Sequence, residues 1–211
     1  ALAVARLCLE HDYLFVSHAD GLALLRGQGA VEALPNPVTP VARHRVDLPQ
    51  LAWENARFRL QARRHEEALL RLADAFRPDF GMSDYEYLVP RACRRLGLPC
   101  LSVDNQHAIT RCRHRLPSAR WPEWWATARA VEGWFGASSA HVISTFLRAP
   151  LQPGFAATVL IPPILRPEIT GRTPVDNGHV LAYQGYGAFH GLLPMLRAMP
   201  RQILAYGLGP P

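Results

Sequence analysis

The chain has 211 residues, 49% hydrophobic and 19% charged, so it is long enough to bury a sizeable core and reads as a soluble globular protein rather than a disordered one. All 23 basic residues are arginine, and the net charge of +6 therefore rests on guanidinium groups, which suit paired capture of phosphate or carboxylate; a lysine-free composition also follows from codon bias. No apolar run approaches the roughly 20 residues that a bilayer-spanning helix needs, which leaves only peripheral membrane contact.

Charge alone leaves the anionic partner open among nucleotide, lipid head group and nucleic acid. The four cysteines, Cys8, Cys93, Cys100 and Cys112, form no C-x-x-C pair, so free thiols in a reducing cytoplasm are expected. Cys93, Cys100, His107, Cys112 and His114 lie close in sequence, but their spacings match no metal knuckle.

In chain order, ALAVARLCLEH reads as a helix and runs straight into a strand-like YLFVSH. This opening begins in mid-pattern, so an earlier strand and its loop are expected upstream. Residues 51–76 carry Leu51, Asn55, Phe58, Ala62, His65, Leu69, Leu72 and Phe76 at alternating spacings of four and three, one continuous helical stripe. The helix is expected to stop at Arg77, because Pro78 pushes the preceding residue out of helical geometry. In that stripe His65 reads as a core histidine, and Asn55 as either a local backbone partner or a substrate contact. A strand at 79–83 and a helix at 85–96 follow, with Gly97 as a left-handed cap and Arg94 and Arg95 in the favourable last turn. Then come a strand at 100–103, a helix at 122–135, and strands at 141–144, 158–161, 179–183 and 202–206, alongside that at 13–17. Strands alternating with helices predict a parallel sheet covered on both faces. IPPILRPEITGRTPVDNG is a linker by composition. The predicted organisation is a first Rossmann-like domain at 1–164, a linker at 165–178, and the first βαβ of a second Rossmann-like domain at 179–211.

In such a sheet, ligands bind beyond the carboxyl ends of the strands. Two strand ends are polar: SDYE delivers Ser83, Asp84 and Glu86, and DNQH delivers Asp104, Asn105, Gln106 and His107. Two carboxylates and an imidazole on one rim could supply a general base, and the amides could hold hydroxyl groups, as a sugar would require. Against this, Asp84 equally fits a helix cap and DNQH a polar turn without a ligand. Arg111, Arg113, Arg115 and Arg120 are expected on a loop, either clamping phosphate or simply solvated. Trp121, Trp124 and Trp125 can stack on sugar faces, enter a membrane interface, or pack against the sheet. Nucleic-acid binding lacks a recognised module and an extended basic stripe. AYQGYG brings Tyr183, Gln184 and Gly185 to the end of a later strand, where glycine lets backbone approach a phosphate, although G-Y-G alone is a weak signal.

The run RPDFGMSDYEYLVPRACRRLGLPCLSVDNQH, with AHVISTF, VLIPPILRPEI and HVLAYQGY, resembles a bacterial and archaeal group of GT-B-type glycosyltransferases distantly related to the peptidoglycan N-acetylglucosaminyltransferase. The resemblance implies two Rossmann-like domains, the first taking a saccharide or lipid-linked acceptor and the second a nucleotide-sugar donor, which serves as co-substrate. It implies no metal and no further cofactor, and a cytoplasmic protein, peripheral at the inner face of the membrane if it meets a membrane at all. By position, Asp84, Glu86 and His107 are the base candidates. Asp104, Asn105, Gln106, Arg111, Arg113, Tyr183, Gln184 and Gly185 are the binding candidates. The glycine-containing first loop and most of the second domain lie outside this sequence, so the piece alone is expected to be inactive. A nucleotide-sugar 2-epimerase and a non-catalytic sugar- or anion-binding domain are the rival readings.

Overall fold

The computed structural model describes residues 11–27, 29–38, 41–42, 45–46, 48–146, 149–184 and 191–207. The expected opening helix lies outside them. The elements in chain order are β1 (Leu14–Ser17), α1 (Ala19–Leu25), β2 (Ala30–Ala33), β3 (Val41–Ala42), β4 (Arg45–Val46), α2 (Leu48–Phe76), β5 (Gly81–Ser83), α3 (Leu88–Leu96) and β6 (Cys100–Asp104). They continue with α4 (Ala108–Arg111), a 3-10 turn (Ser118–Arg120), α5 (Trp121–Phe135), β7 (Ala140–Ser144), β8 (Thr158–Ile161), α6 (Pro167–Thr170), β9 (Val180–Tyr183), α7 (Leu192–Arg197) and β10 (Ile203–Tyr206). By internal contacts the chain falls into two units, Ala1–Pro37 with Asn55–Arg166, and Val38–Glu54 with Pro167–Pro211.

In the first unit, β5, β6, β7 and β8 form a four-stranded sheet in that order, every pair parallel. The register sets Ser83 opposite Ser102 and Asp104 opposite Ile143, so β5 and β6 lie side by side and point the same way. This is the Rossmann-like α/β fold that the alternation of strands and helices predicts. β1 pairs in parallel with β2, a strand that the sequence conceals because AVEA is only four residues long and largely exposed. Among the described residues, β1 and the open edge of β5 face a common gap lined by Phe15, Val16, Leu69, Met82 and Val89 and, toward the strand ends, by His18, Asn36, Ser83, Asp84 and Glu86.

The core joins Phe58, Ala62 and Leu69 of α2 to Leu88 and Ala92 of α3, with Tyr87 and Trp134 packed around Phe58. The expected stripe of α2 faces inward at Phe58, Ala62 and Leu69, whereas Phe76 at its end is exposed, and His65 stacks at 6.0 Å on Phe58. α2 ends at Phe76, and the Arg77 amide still bonds the Ala73 carbonyl before Pro78 turns the chain. α3 ends on Gly97 at φ 69°, a left-handed cap whose next residue bonds back to the Cys93 carbonyl. Its start differs from expectation, at Leu88 rather than residue 85. The Ser83 hydroxyl accepts the Glu86 N–H at 3.0 Å, and Tyr85 takes a left-handed φ of 53°, so a side-chain-closed turn displaces the first helical turn.

In the second unit, β9 and β10 pair in parallel, Val180 opposite Ile203 and Tyr183 opposite Tyr206, with α7 between them in sequence. This is a βαβ unit. β3 and β4 form a two-residue antiparallel ladder that the sequence does not announce.

Candidate functional site

The two polar strand ends sit next to each other because β5 and β6 are neighbours. They are built differently. At the end of β6, alternate residues Cys100, Ser102 and Asp104 are buried, so the strand carries its polar groups into the interior. Asp104 Oδ1 accepts the His107 amide at 2.9 Å, Oδ2 lies 2.7 Å from His107 Nδ1, and the Ser102 hydroxyl also donates to Oδ2. Burial acts to raise the Asp104 pKa, but the hydrogen bonds from the His107 ring, the His107 amide and Ser102 outweigh it and hold the carboxyl below its usual range. An ionised Asp104 can only accept, so His107 Nδ1 carries the proton. His107 has no exposed surface, its Nε2 has no hydrogen-bond partner among the described residues, and its ring lies 4.5 Å from that of His141. Burial, then the nearby charge of Arg111, push the His141 pKa down to about 4. Asn105 donates from Nδ2 to the Ser144 carbonyl at 2.8 Å, and the Gln106 side-chain oxygen accepts the Asn105 N–H. Both amide side chains are otherwise exposed.

At the end of β5 the carboxyl groups stay free of such a network. Asp84 stands out from the surface and does not cap α3, whose first residues have no side-chain cap. Its pKa is raised, first by desolvation and then by the negative charge of Asp104. Glu86 is mostly covered, with its Oε1 3.4 Å from His18 Nδ1, and burial, reinforced by the charge of Asp84, raises its pKa to about 8. Such a carboxyl binds and releases a proton near neutral pH. Tyr85 links the two exits: its ring meets His107 edge-on at 6.1 Å and stacks on Phe135 at 3.9 Å, and burial, then the Asp104 charge, push its hydroxyl up to about 12. Asn36 fixes the same turn from the other side, its Oδ1 accepting the Tyr87 N–H at 3.1 Å and its Nδ2 donating to the Tyr85 carbonyl.

The structure therefore brings Asp84, Glu86, Asp104, Asn105, Gln106 and His107 to one sheet edge. Arg111 does not stand on a loop as expected. It ends α4, buried, with Nη2 2.8 Å from Glu132 Oε1 and its guanidinium 4.2 Å above the Phe155 ring. The short helix forms because the His107 carbonyl accepts the amides of Thr110 and Arg111. Arg113 is exposed on the loop that follows. Tyr183, in the second unit, is exposed at the end of β9, and the Gln184 amide donates to the Tyr206 carbonyl; Gly185 lies outside the described residues.

Residues 5–210 match the family model described as glycosyl transferase family 1. The chain belongs to that family. No curated protein matches it. For this family-1 glycosyltransferase chain, sequence reading missed His18, Asn36, Ser102, Tyr85 and His141 as parts of the edge. His18 ends YLFVSH as His107 ends LSVDNQH, so the rule applied to two strand ends would have found the third. Asn36 stands between Pro35 and Pro37, where both neighbours have restricted backbones and its amide is held out rigidly. Ser102 and His141 carry no signal of their own, because only the pairing of β6 with β7 sets them opposite each other.

Proposed function

We propose that the intact protein transfers a sugar from a nucleotide-sugar donor to a hydroxyl of a saccharide or lipid-linked acceptor, with Glu86 as the base. The single observation that supports this is the placement of Glu86: a mostly covered carboxyl, its pKa near 8, in the turn that leaves β5 at the carboxyl edge of a parallel sheet, beside Asp84. An acceptor hydroxyl attacks the anomeric carbon more readily if its proton leaves as the new bond forms, and a carboxylate whose pKa lies near the working pH is suited to take it.

The other residues divide by what they touch. His18 stands beside Glu86, its Nδ1 3.4 Å from Glu86 Oε1. Asp84, exposed beside it, binds acceptor hydroxyl groups, as do the outward amides of Asn105 and Gln106. Asp104 and His107, bonded to each other inside the edge, hold the β6 exit in shape rather than meeting substrate. Arg113, exposed and in no ion pair among the described residues, can meet an anionic group of the acceptor. In the second unit, Tyr183, Gln184 and Gly185 receive the nucleotide-sugar diphosphate, the residues 165–178 serving as the linker between the acceptor-side and donor-side domains. No metal enters this scheme, since the departing diphosphate can be held by backbone amides and cationic groups.

The test is product analysis by mass spectrometry on the intact protein with a panel of nucleotide-sugars. Transfer to an acceptor is expected, with Glu86→Gln lowering turnover by roughly a hundredfold or more while substrate binding persists. Unchanged turnover in that variant would remove Glu86 as the base. Isomerisation of the donor without transfer would replace the transferase reading altogether.

A further inference from the structure

We infer that Tyr85 is a positioning residue for Glu86: its ring, held from two sides, keeps the turn after β5 in a left-handed conformation that sets the Glu86 carboxyl beside His18. What Glu86 does there rests on the transferase reading above; how it is held does not. A residue with a Cβ seldom takes a positive φ, and where it does its surroundings must impose it. Among the described residues three non-glycine positions do so, Ala19 at 44°, Arg77 at 56° and Tyr85 at 53°. Arg77 is accounted for, since it follows the last residue of α2 and its amide returns to the Ala73 carbonyl, as at a helix end. The other two flank one contact. Ala19 follows His18 and Tyr85 precedes Glu86, the pair whose Nδ1 and Oε1 lie 3.4 Å apart.

Hydrogen bonds fix the peptide groups around Glu86: the Ser83 hydroxyl accepts the Glu86 N–H, and the Asn36 amide accepts the Tyr87 N–H and donates to the Tyr85 carbonyl. The ring fixes the residue before it. It stacks on Phe135, the last residue of α5, at 3.9 Å and meets His107 edge-on at 6.1 Å, and His107 is itself fully buried and bonded to Asp104. Turning Tyr85 into the ordinary negative range of φ would pull either the ring out of this slot or the Asn36 and Ser83 bonds off the chain. The hydroxyl carries no charge in this role, because burial, then the Asp104 charge, push it up to about 12. Packing therefore does the holding. The groups that face Glu86 among the described residues are His18 from the end of β1, and Asp84 and the Tyr87 amide on its own turn. Releasing the turn lets water reach the carboxyl, which lowers its proton affinity toward that of an ordinary glutamate.

The experiment is a carbon-13 NMR titration of the side-chain carboxyl groups in the parent, Tyr85→Phe, Tyr85→Gly and Tyr85→Asn, with Glu86→Gln identifying the Glu86 signal. Glycine and asparagine both tolerate a left-handed φ, so each removes the ring without adding backbone strain, and one serves if the other folds poorly. In the parent the signal should titrate near pH 8. Tyr85→Phe should leave it there, whereas Tyr85→Gly and Tyr85→Asn should lower it by about one unit or more. In the intact protein the same two variants should lower kcat by about tenfold or more with KM for the nucleotide-sugar within about twofold, and the pH at which kcat rises should move down with the carboxyl. A ring that only stabilised the fold would lower the melting temperature and leave both the titration and the pH profile in place, which would overturn the inference. So would a Tyr85→Phe variant that shifts as far as Tyr85→Gly. The titration needs no substrate: a shifted signal in a protein that transfers no sugar would sink the transferase reading alone, and an unshifted one in a protein that does would sink the positioning role alone.

Discussion

At the exit of β6 the polar residues close on one another, whereas at the exit of β5, one strand over, they face outward. In sequence the two stretches, DNQH after an apolar strand and SDYE after another, look alike. The difference lies in where the acceptor oxygen falls. Asp104 is the last residue of its strand on the buried face, so its carboxylate meets the His107 ring and amide and the Ser102 hydroxyl inside the fold. On β5 that inner position belongs to Ser83, whose hydroxyl closes the turn on the Glu86 amide and leaves the carboxyl groups of Asp84 and Glu86 outside that bond. A buried ion needs several hydrogen bonds to offset desolvation, and Asp104 has them. At Glu86 a hydrogen bond to the Tyr87 backbone does not offset burial, and its pKa rises instead.

The comparison breaks most sharply at Asp104. Asp104→Ala removes the acceptor for two groups of His107 and for Ser102 and leaves them buried without partners, which should cost about 3 kcal/mol in a urea unfolding curve. A cost below about 1 kcal/mol would mean that the β6 exit is not held from within. Glu86 should behave oppositely. Its carboxyl is raised from an ordinary 4.5 to about 8, so the folded protein holds a proton that the unfolded chain gives up. The stability contributed by the protonated form is complete below about pH 4.5 and is lost as pH rises through about 8. Glu86→Gln should therefore flatten that slope and leave the variant more stable than the parent by about 2 kcal/mol at alkaline pH, read from unfolding curves across the range. Equal slopes in parent and variant would show that the carboxyl is not buried. The smallest effect is expected at Asn36→Ala, where one buried-side acceptor for the Tyr87 amide is lost; about 1 kcal/mol in the same assay, with the Glu86 slope shifted because the turn that carries Glu86 loosens.

Much of the fold was legible. The strands at β1, β5, β6, β7, β8, β9 and β10 follow from short apolar runs bounded by turn residues, and α2 from its stripe. β2 was not, since four largely exposed residues carry no pattern, nor was the delayed start of α3, which depends on Ser83 and Asn36 outcompeting a first helical turn. The candidate edge was legible as a place, because a strand that ends in polar groups announces its end. Arg111 shows the limit: flanked by Thr110 and Cys112 in an arginine-rich run, nothing local distinguishes it from Arg113, yet Glu132 and Phe155 draw it inside while Arg113 stays out.

Sequence by itself determined the period of each element, the alternation that makes the sheet parallel, and the punctuation at Gly97 and Pro78, because these are properties of neighbouring residues and their backbone preferences. Tertiary structure alone decided which polar groups are held inside and which remain available. Those outcomes depend on partners far along the chain: Asn36 reaches Tyr87 across 51 residues and Asn105 reaches Ser144 across 39. A hydrogen-bond acceptor is satisfied or left free only when the strands have been laid side by side, and no spacing rule carries that information in advance.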